Sequence, residues 1–270
     1  MDKEKFIISK FQNKFIGDDG AVVGSYVYSK DLFIENSHFK KEWLSFYEIG
    51  RKAMMVNISD AIVMNAYPKY ALIGLMLPKN TSLSDIVELN KGIKDSCLKY
   101  GIEIIGGDTI SSNLIGLSVT IIAKTKRPIY RKALKDGEIL AFTGNLGGSL
   151  KGLKALLNGG KIGKNSRFKN IILRDKFFYK ASRYINSAMD ISDGLKSDLP
   201  KFLKNKDIKL RYNFNKFEFN SGEEYEILFS CYKKNIKALK NIAKKTRTKV
   251  TFFAEVKRGR YRKYGKSEHF

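Results

Sequence analysis

Acidic side chains are scarce in this chain: 27 aspartates and glutamates stand against 51 lysines and arginines, a formal net charge of +24 over 270 residues. Histidine and cysteine are scarcer, with two of each. Cys97 and Cys231 stand apart with neither CxxC spacing nor an accompanying histidine, so two reduced thiols are expected rather than a zinc site or an obligatory disulfide. No apolar run approaches the roughly 18 residues needed to span a bilayer, and the opening MDKEKFIISKF lacks the apolar stretch and cleavage site of a secretory signal. No membrane association is indicated, and the expected location is the cytoplasm. The common nucleotide fingerprints are missing too. No GxGxxG occurs, and GKS at Gly265 to Ser267 would need a glycine where Arg260 sits.

The positive charge invites a nucleic-acid reading, above all in KRGRYRKYGK near the C-terminus with its interleaved tyrosines. Lysine is, however, scattered along the whole chain, including helix-like segments such as KKNIKALKNIAKK, which is the pattern of a solvated surface. Nucleic acid is therefore not the expected partner. A basic field also draws in small anions such as nucleotides.

At 43% hydrophobic, the chain is long enough for two domains, and the apolar pattern lapses around Arg127-Pro128. We place the boundary there, giving 1–127 and 128–270, both α/β. In the first part AVVGSYVYS and LFIEN predict two short strands, and 46–66 a helix with Ile49, Ala53, Val56 and Ala61 on one spacing. YALIGLML then predicts a strand, TSLSDIVELNKGIKDSCLKY a helix begun by a Thr or Ser cap, and IEIIGG and LIGLSVTIIAKT two more strands. In the second part EILAFTG, SAMDIS, EYEILFSCY and KVTFFAEV predict strands; SLKGLKALLN, GLKSDLPKFLK and the lysine-rich segment predict helices.

The few acids that stand out share a setting beside Gly, Ser or Asn, expected at strand ends or turns: Asp18 and Asp19 in IGDDGAVV, Asp31 in YSKDLFIENSHF, Asp60 in VNISDAIVMNA, Asp108 in IIGGDTISS, and Asp190 with Asp193 in MDISDGL. Each alone also fits a turn or a helix cap. As a set they suit a hard cation such as Mg²⁺, which takes separated carboxylates and bridges them to phosphate. GGDT and TGNLGGSLKG are the candidate phosphate-facing backbones, the second because it runs from a strand into a helix N-terminus. His38 follows an apolar strand, where a structural role is the default. His269, beside the C-terminus, carries no indication.

The ordered set IGDDGAVV, DLFIENSHF, GRKAMMVNISDAIVMNAYPKY, IIGGDTISS, YRKALKDGEILAFTGNLGGSLKGL, AMDISDGLKSDL and SGEEYEILF resembles the thiamine-monophosphate kinase family, from about residue 17 to 230. That family shares a superfamily with aminoimidazole ribonucleotide synthetase and selenophosphate synthetase; NISDAIVMNAYP and the HF after the second strand favour the thiamine branch. The resemblance implies a two-domain α/β (α+β) fold of the aminoimidazole ribonucleotide synthetase type, whose N-terminal domain builds a β-barrel across a homodimer. It implies a phosphotransferase that uses ATP and several Mg²⁺ ions to convert thiamine monophosphate to thiamine diphosphate, without a phosphoenzyme.

Position by position, the resemblance implies metal binding by Asp19, Ser29, Asp31, Asp60, Asp108, Asp190 and Asp193. It implies ATP contacts from Gly107, Asp108, Arg131, Ser192 and Tyr100, and substrate contacts from His38 and Glu224. No general base is implied, because the acceptor phosphate is already ionised and transfer rests on charge neutralisation and in-line placement. The chain departs from the family pattern in four places. Lys30 replaces a threonine or serine and threatens to set an ammonium among the metal ligands. GEEYEI replaces GEDYEL, lengthening the acid at Glu224. Asn65 replaces a glycine. The segment before GEEYE is short, thinning the part expected near thiamine. The alternatives are a superfamily enzyme with another acceptor, such as a purine-pathway amide or selenide, and, further off, a basic nucleic-acid-binding protein. Selenide use usually goes with a reactive N-terminal cysteine, and none precedes Cys97.

Overall fold

The computed structural model describes residues 3–11 and 13–261. The GKS segment and His269 lie outside them, as does the second half of the basic stretch KRGRYRKYGK. In chain order the first part contains α1 (Lys3–Lys10), β1 (Ala21–Val23), β2 (Tyr26–Ile34), α2 (Phe46–Val63), β3 (Tyr67–Leu77), α3 (Leu83–Tyr100), β4 (Glu103–Ser111) and β5 (Gly116–Lys124). The second contains β6 (Ile139–Thr143), α4 (Gly148–Leu157), α5 (Asp175–Ala181), β7 (Ser187–Asp190), α6 (Leu195–Leu203), β8 (Lys206–Leu210), α7 (Lys216–Asn220), β9 (Ile227–Cys231), α8 (Ile236–Lys245) and β10 (Val250–Arg258).

The strands form two five-stranded sheets, ordered β1-β2-β5-β3-β4 and β7-β9-β6-β10-β8. The second is antiparallel throughout, whereas the first has one parallel pair, β3 with β4, joined across α3. The first sheet is open, with β1 and β4 at its edges, so the expected barrel is not closed within one chain.

Helix α2 lies between the halves. It starts with a capping box, in which the Ser45 hydroxyl accepts from the Glu48 N–H while the Glu48 carboxylate accepts from the Ser45 N–H. Fourteen of its 18 residues are buried, against β2, β5 and α3 on one side and β7 and α5 on the other. A helix apolar nearly all round belongs in a core, and the polar groups it carries inward, Lys52, Asn57 and Ser59, must all find partners. Its crossing with α3 is set by glycine. A Cβ on Gly50 would sit 2.3 Å from the Leu89 carbonyl oxygen and one on Gly92 2.1 Å from that of Tyr47, so the two backbones meet where neither helix has a side chain. One buried apolar cluster then runs continuously from Val27 in the first sheet through α2 to Phe229 and Ala243 in the second half.

Two expectations need correction. AVVGSYVYS and LFIEN are not two strands of that division: the break falls at a Gly24-Ser25 turn, and β2 runs unbroken through Asp31. Three of the acids expected at strand ends or turns sit inside elements instead: Asp31 within β2, Asp60 in the last turn of α2, and Asp108 within β4. Elements α5, β8 and α7 had no expectation, because KDIKL and KFEFN are short and charged. A local capping box, Asn215 with Glu218, marks the last of them.

Candidate active site

Asp19, Asp60 and Asp190 come together at the junction of the two halves, with carboxylate oxygens within 4.8 Å of one another. Asp19 enters from the loop before β1, Asp60 from the end of α2 and Asp190 from the end of β7. The Ser59 hydroxyl donates to Asp190 Oδ2 at 2.7 Å, and the Arg131 guanidinium pairs with Asp19 Oδ1. Asp19 Oδ2 is buried and has no hydrogen-bond partner among the described residues. Asp31 adjoins the group, close enough for its carboxyl and that of Asp60 to perturb one another. Its own N–H donates to Asn57 Oδ1 at 2.8 Å, and the Asn57 amide is held by the Ala53 carbonyl one helical turn back, so α2 fixes the strand that carries Asp31. Ser29, two positions earlier and on the same face of β2, is buried and donates to the Asn57 carbonyl.

Burial, first, and mutual repulsion, second, drive these carboxyls toward the neutral form. Asp19 is pushed up to about 6, mainly by burial, with Asp18 and Asp31 adding to the rise and Arg131 opposing it. Asp60 and Asp190 are raised further by burial and by the other acids of the group. Three crowded carboxylates, one with an orphaned buried oxygen, are a donor set short of positive charge. They fit a hard divalent cation.

A cavity of about 440 Å³ opens beside this group, lined by His38, Trp43, Phe168, Ser192, Asp193 and Glu223 among others. Its wall includes Ser192 and Asp193, which follow Asp190 closely in the chain, so the acid group adjoins it. Asp193 is paired with Lys201, and its N–H donates to Asp198 Oδ2 at 3.0 Å. Asp198 is itself fully buried and pushed up to about 8 by burial and by Asp193. His38 Nδ1 accepts from the Ile34 N–H at 3.1 Å, which turns the ring along the cavity wall. A second cavity, of about 770 Å³, lies on the other side of the pair Asp18 and Asp19, lined by Asp18, Tyr130, Lys14 and Lys132 among others.

Among the residues singled out from sequence, the structure thus groups Asp19, Ser29, Asp31, Asp60, Asp190 and Arg131, and places His38, Ser192 and Asp193 on the adjoining cavity. Glu224, Gly107, Asp108 and Tyr100 are not in this group. The Glu224 side chain is fully buried, and its Oε1 accepts from the N–H groups of Gly147 and Ser149 and from the Ser221 hydroxyl. The anion at the N-terminus of α4 is therefore Glu224 itself, which corrects the expectation of a phosphate-facing backbone in TGNLGGSLKG. Gly107 and Asp108 lie on the exposed edge strand β4. Asp31, Val119, Ile73 and Gly107 form one row across the sheet, so Asp31 and β4 are three strands apart, roughly 14 Å at the usual spacing. Gly107 has a local reason to be glycine, because a Cβ there would fall 1.9 Å from the Ile73 carbonyl oxygen. Tyr100 ends α3, and burial and then Asp175 raise the pKa of its hydroxyl, which is buried without a partner among the described residues.

The departures also resolve. Lys30 points to the opposite face of β2 from Ser29 and Asp31, and donates to the Ser118 hydroxyl at 2.6 Å, away from the acids. Asn65 has φ 55, the left-handed conformation that a glycine would supply, and its amide donates to the Arg127 carbonyl at 2.8 Å. The short segment before GEEYE still supplies Asn220 to the cavity wall.

Glu223, Lys52 and Asp198 were not found from the sequence. The available signals were a lysine inside a helix apolar on every side and an aspartate between Leu195 and Leu199 on the apolar face of α6.

The family described as AIR synthase related protein, N-terminal domain, matches residues 17–125. The thiamine-monophosphate kinase of Buchnera aphidicola subsp. Schizaphis graminum (strain Sg) is 34% identical, covering 91% of this chain and 88% of the relative. That of Aquifex aeolicus (strain VF5) is 29% identical, covering 81% of each. Among solved structures, AaThiL complexed with AMPPCP and TMP superposes with a TM-score of 0.85 at 27% identity, over 96% of this chain and 90% of that one. Motif order, the buried acid group and whole-length similarity agree, and the chain belongs to the thiamine-monophosphate kinase family.

Proposed function

We propose that this chain transfers the γ-phosphoryl group of ATP directly to thiamine monophosphate, giving thiamine diphosphate. The observation that carries this reading is the buried group Asp19, Asp60 and Asp190 set against a cavity whose wall combines the rings of Trp43 and Phe168 with acidic and basic side chains. Thiamine carries a cationic, flat ring system. Trp43 and Phe168 offer it aromatic rings, and Glu223 offers a carboxylate oxygen beside them. A nucleotide is anionic, and the lysines at the second cavity and Arg131 suit it instead. The solved relative in complex with AMPPCP and TMP supports the same pair of ligands, and supports this reading over an acceptor from elsewhere in the superfamily.

Within that reading Asp19, Asp60 and Asp190, with Asp31, Ser29 and Asp193 around them, would hold Mg²⁺. Bound there, Mg²⁺ supplies the positive charge that lets two phosphate groups approach. The chain's own part is placement. Ser59 fixes the Asp190 carboxylate and Asn57 the strand that carries Asp31, while Arg131 offers a second cation, Ser192 a hydroxyl on the cavity wall, and Glu223 the seat of the acceptor in place of Glu224. The acceptor phosphate is ionised at neutral pH, so no residue need remove a proton.

Asp108 and Gly107 cannot reach Asp31 across their own sheet. We infer that they serve the site of a second copy, in a homodimer whose two open sheets close the barrel and cover exposed Tyr28, Leu32, Tyr70 and Leu72. The same reading keeps the division into 1–127 and 128–270, since β5 ends at Lys124 and β6 begins at Ile139. Among the described residues no helix is long and apolar enough to cross a membrane, and a cytoplasmic location is part of this proposal. The test is to incubate purified protein with ATP, MgCl₂ and thiamine monophosphate and to measure thiamine diphosphate and ADP. Equal amounts of the two products are expected. ADP without thiamine diphosphate would move the acceptor elsewhere.

A further inference from the structure

Lys52 is the one lysine among the fully buried large side chains, and it stands in the middle of α2 under the floor of the acceptor cavity. Its Nζ lies 2.9 Å from Glu223 Oε2, 4.0 Å from the centre of the Phe168 ring and 5.6 Å from that of Phe33. Two of these three contacts, Glu223 and Phe168, line the cavity. The third, Phe33, backs the His38 ring at 5.4 Å. One ammonium therefore touches the acid, an aromatic wall and the support of the histidine.

A buried ammonium is tolerated only where charge and π-faces replace its water. Glu223 is its carboxylate partner. That carboxylate is less buried, and Oε2 is engaged while Oε1 has no partner among the described residues. Glu223 stands in a left-handed turn at φ 53, with its N–H donating to the Ser192 carbonyl at 2.6 Å. A non-glycine residue keeps such a backbone only where its surroundings fix it. Just after Phe168 its loop is tied to α2 twice, through Arg51 to Asn170 and Lys169 to Glu48.

We propose that Lys52 is a positioning residue for the acceptor: it holds one oxygen of Glu223 and the face of Phe168, so that the other oxygen and the ring edge are presented to the thiamine end of thiamine monophosphate. This rests on the acceptor assignment above. It requires Lys52 to act through Glu223 and to leave the nucleotide alone.

Trp43 lines the cavity, meets Phe168 edge-on at 5.9 Å, and is the single tryptophan of the chain, so its fluorescence reports binding there. The experiment titrates thiamine monophosphate against full-length wild type, Lys52→Met, Lys52→Gln, Glu223→Gln and the Lys52→Met/Glu223→Gln double variant. KM for both substrates and the melting curve are measured in parallel. The expected result is about a tenfold weaker Kd and higher KM for thiamine monophosphate in Lys52→Met, with less than about a twofold change in KM for ATP. Within the Glu223→Gln background the same substitution should add less than about twofold, the non-additivity expected of residues acting as a unit. Unchanged Kd in a folded Lys52 variant, an equal rise in KM for ATP, or additive effects would each overturn the proposal. Should both Lys52→Met and Lys52→Gln lose a cooperative melt, Lys52 serves folding only and the proposal falls. A wild type that gives no saturable response to thiamine monophosphate would instead overturn the acceptor assignment itself.

Discussion

Glu223 and Glu224 are consecutive and serve different halves of the same structure. Glu223 faces the cavity and Lys52, while Glu224 accepts from the first backbone N–H groups of α4 and from Ser221. Glu224 is thus a helix cap in the interior, and the longer side chain in GEEYEI does not line the cavity. Glu224→Ala should lower stability by about 1–3 kcal/mol, since it strands buried N–H donors, and leave KM for thiamine monophosphate near wild type in the folded fraction. Glu223→Gln should do the reverse. Thermal melts and steady-state kinetics on the two variants separate these outcomes, and a KM effect confined to Glu224→Ala would contradict the geometry.

The repulsion within the acid group makes an unusual demand of a conservative substitution. Asp60 is raised by burial and then by Asp31, Asp190 and Asp19. Asp60→Asn keeps the shape and removes one of the crowded charges. In metal-free buffer at pH 8 it should melt higher than wild type, yet lose turnover and most of the rise in Tm that MgCl₂ gives the wild type. A variant that melts lower without metal would mean that Asp60 has another partner.

The same acids fix the sign of a pH effect. Asp19, at about 6, and Asp198, at about 8, have folded pKa values above those of the unfolded chain. Their contribution to stability is full below about pH 4 and is lost as pH rises through those values, because the folded state binds protons more tightly. Metal-free protein should therefore lose part of its stability between about pH 5 and 8. Mg²⁺ binds the deprotonated form, so its stabilising effect should grow over the same interval. Melting curves at pH 5.5 and 8, each with and without MgCl₂, test this. A Tm gain from MgCl₂ that is equal at both pH values would remove the acid group as its site.

Much of this was legible because the local signals were strong. The apolar spacing of Ile49, Ala53, Val56 and Ala61 and the Thr or Ser cap before α3 place the two long helices to within a few residues. The acids Asp19, Asp60 and Asp190 were visible as exceptions in a basic chain. What sequence could not give was direction. Lys30 was suspect because it adjoins Asp31, but neighbours on a strand face opposite sides. Glu223 and Glu224 could not be told apart, since the left-handed turn that separates them depends on the Ser192 carbonyl and on α4, both distant in the chain. Nothing near Lys52 in the chain marks its pairing, because Glu223 and Phe168, its two nearest partners, lie more than a hundred residues away.

Asn65 shows how a departure can be read backwards into structure. It occupies a left-handed position where glycine is usual, and it adds a hydrogen bond to the Arg127 carbonyl that glycine lacks. Asn65→Ala should cost about 1–2 kcal/mol from the backbone conformation alone. Asn65→Gly should cost less, because only the hydrogen bond is lost. A chemical-denaturation series on the two variants orders them, and an alanine variant as stable as the glycine variant would show that the turn relaxes.

The remaining prediction concerns Asp108, which the sheet order separates from Asp31 by three strands. If each site takes Asp60 from one copy and Asp108 from the other, then Asp60→Asn and Asp108→Asn homodimers are both inactive, with every site carrying one defect. Mixing them with subunit exchange yields heterodimers in which one site carries both defects and the other carries none. Random exchange makes about half the dimers mixed, each with one intact site of two, so roughly a quarter of wild-type activity should return. The return should follow the rate of subunit exchange and should be absent when the variants are mixed under conditions that prevent it. Sedimentation of the mixture establishes whether a dimer is present at all. A dimer that exchanges freely and regains nothing would place Asp108 in the site of its own chain or outside the site. Activity in Asp108→Asn alone would remove it from the metal-binding set.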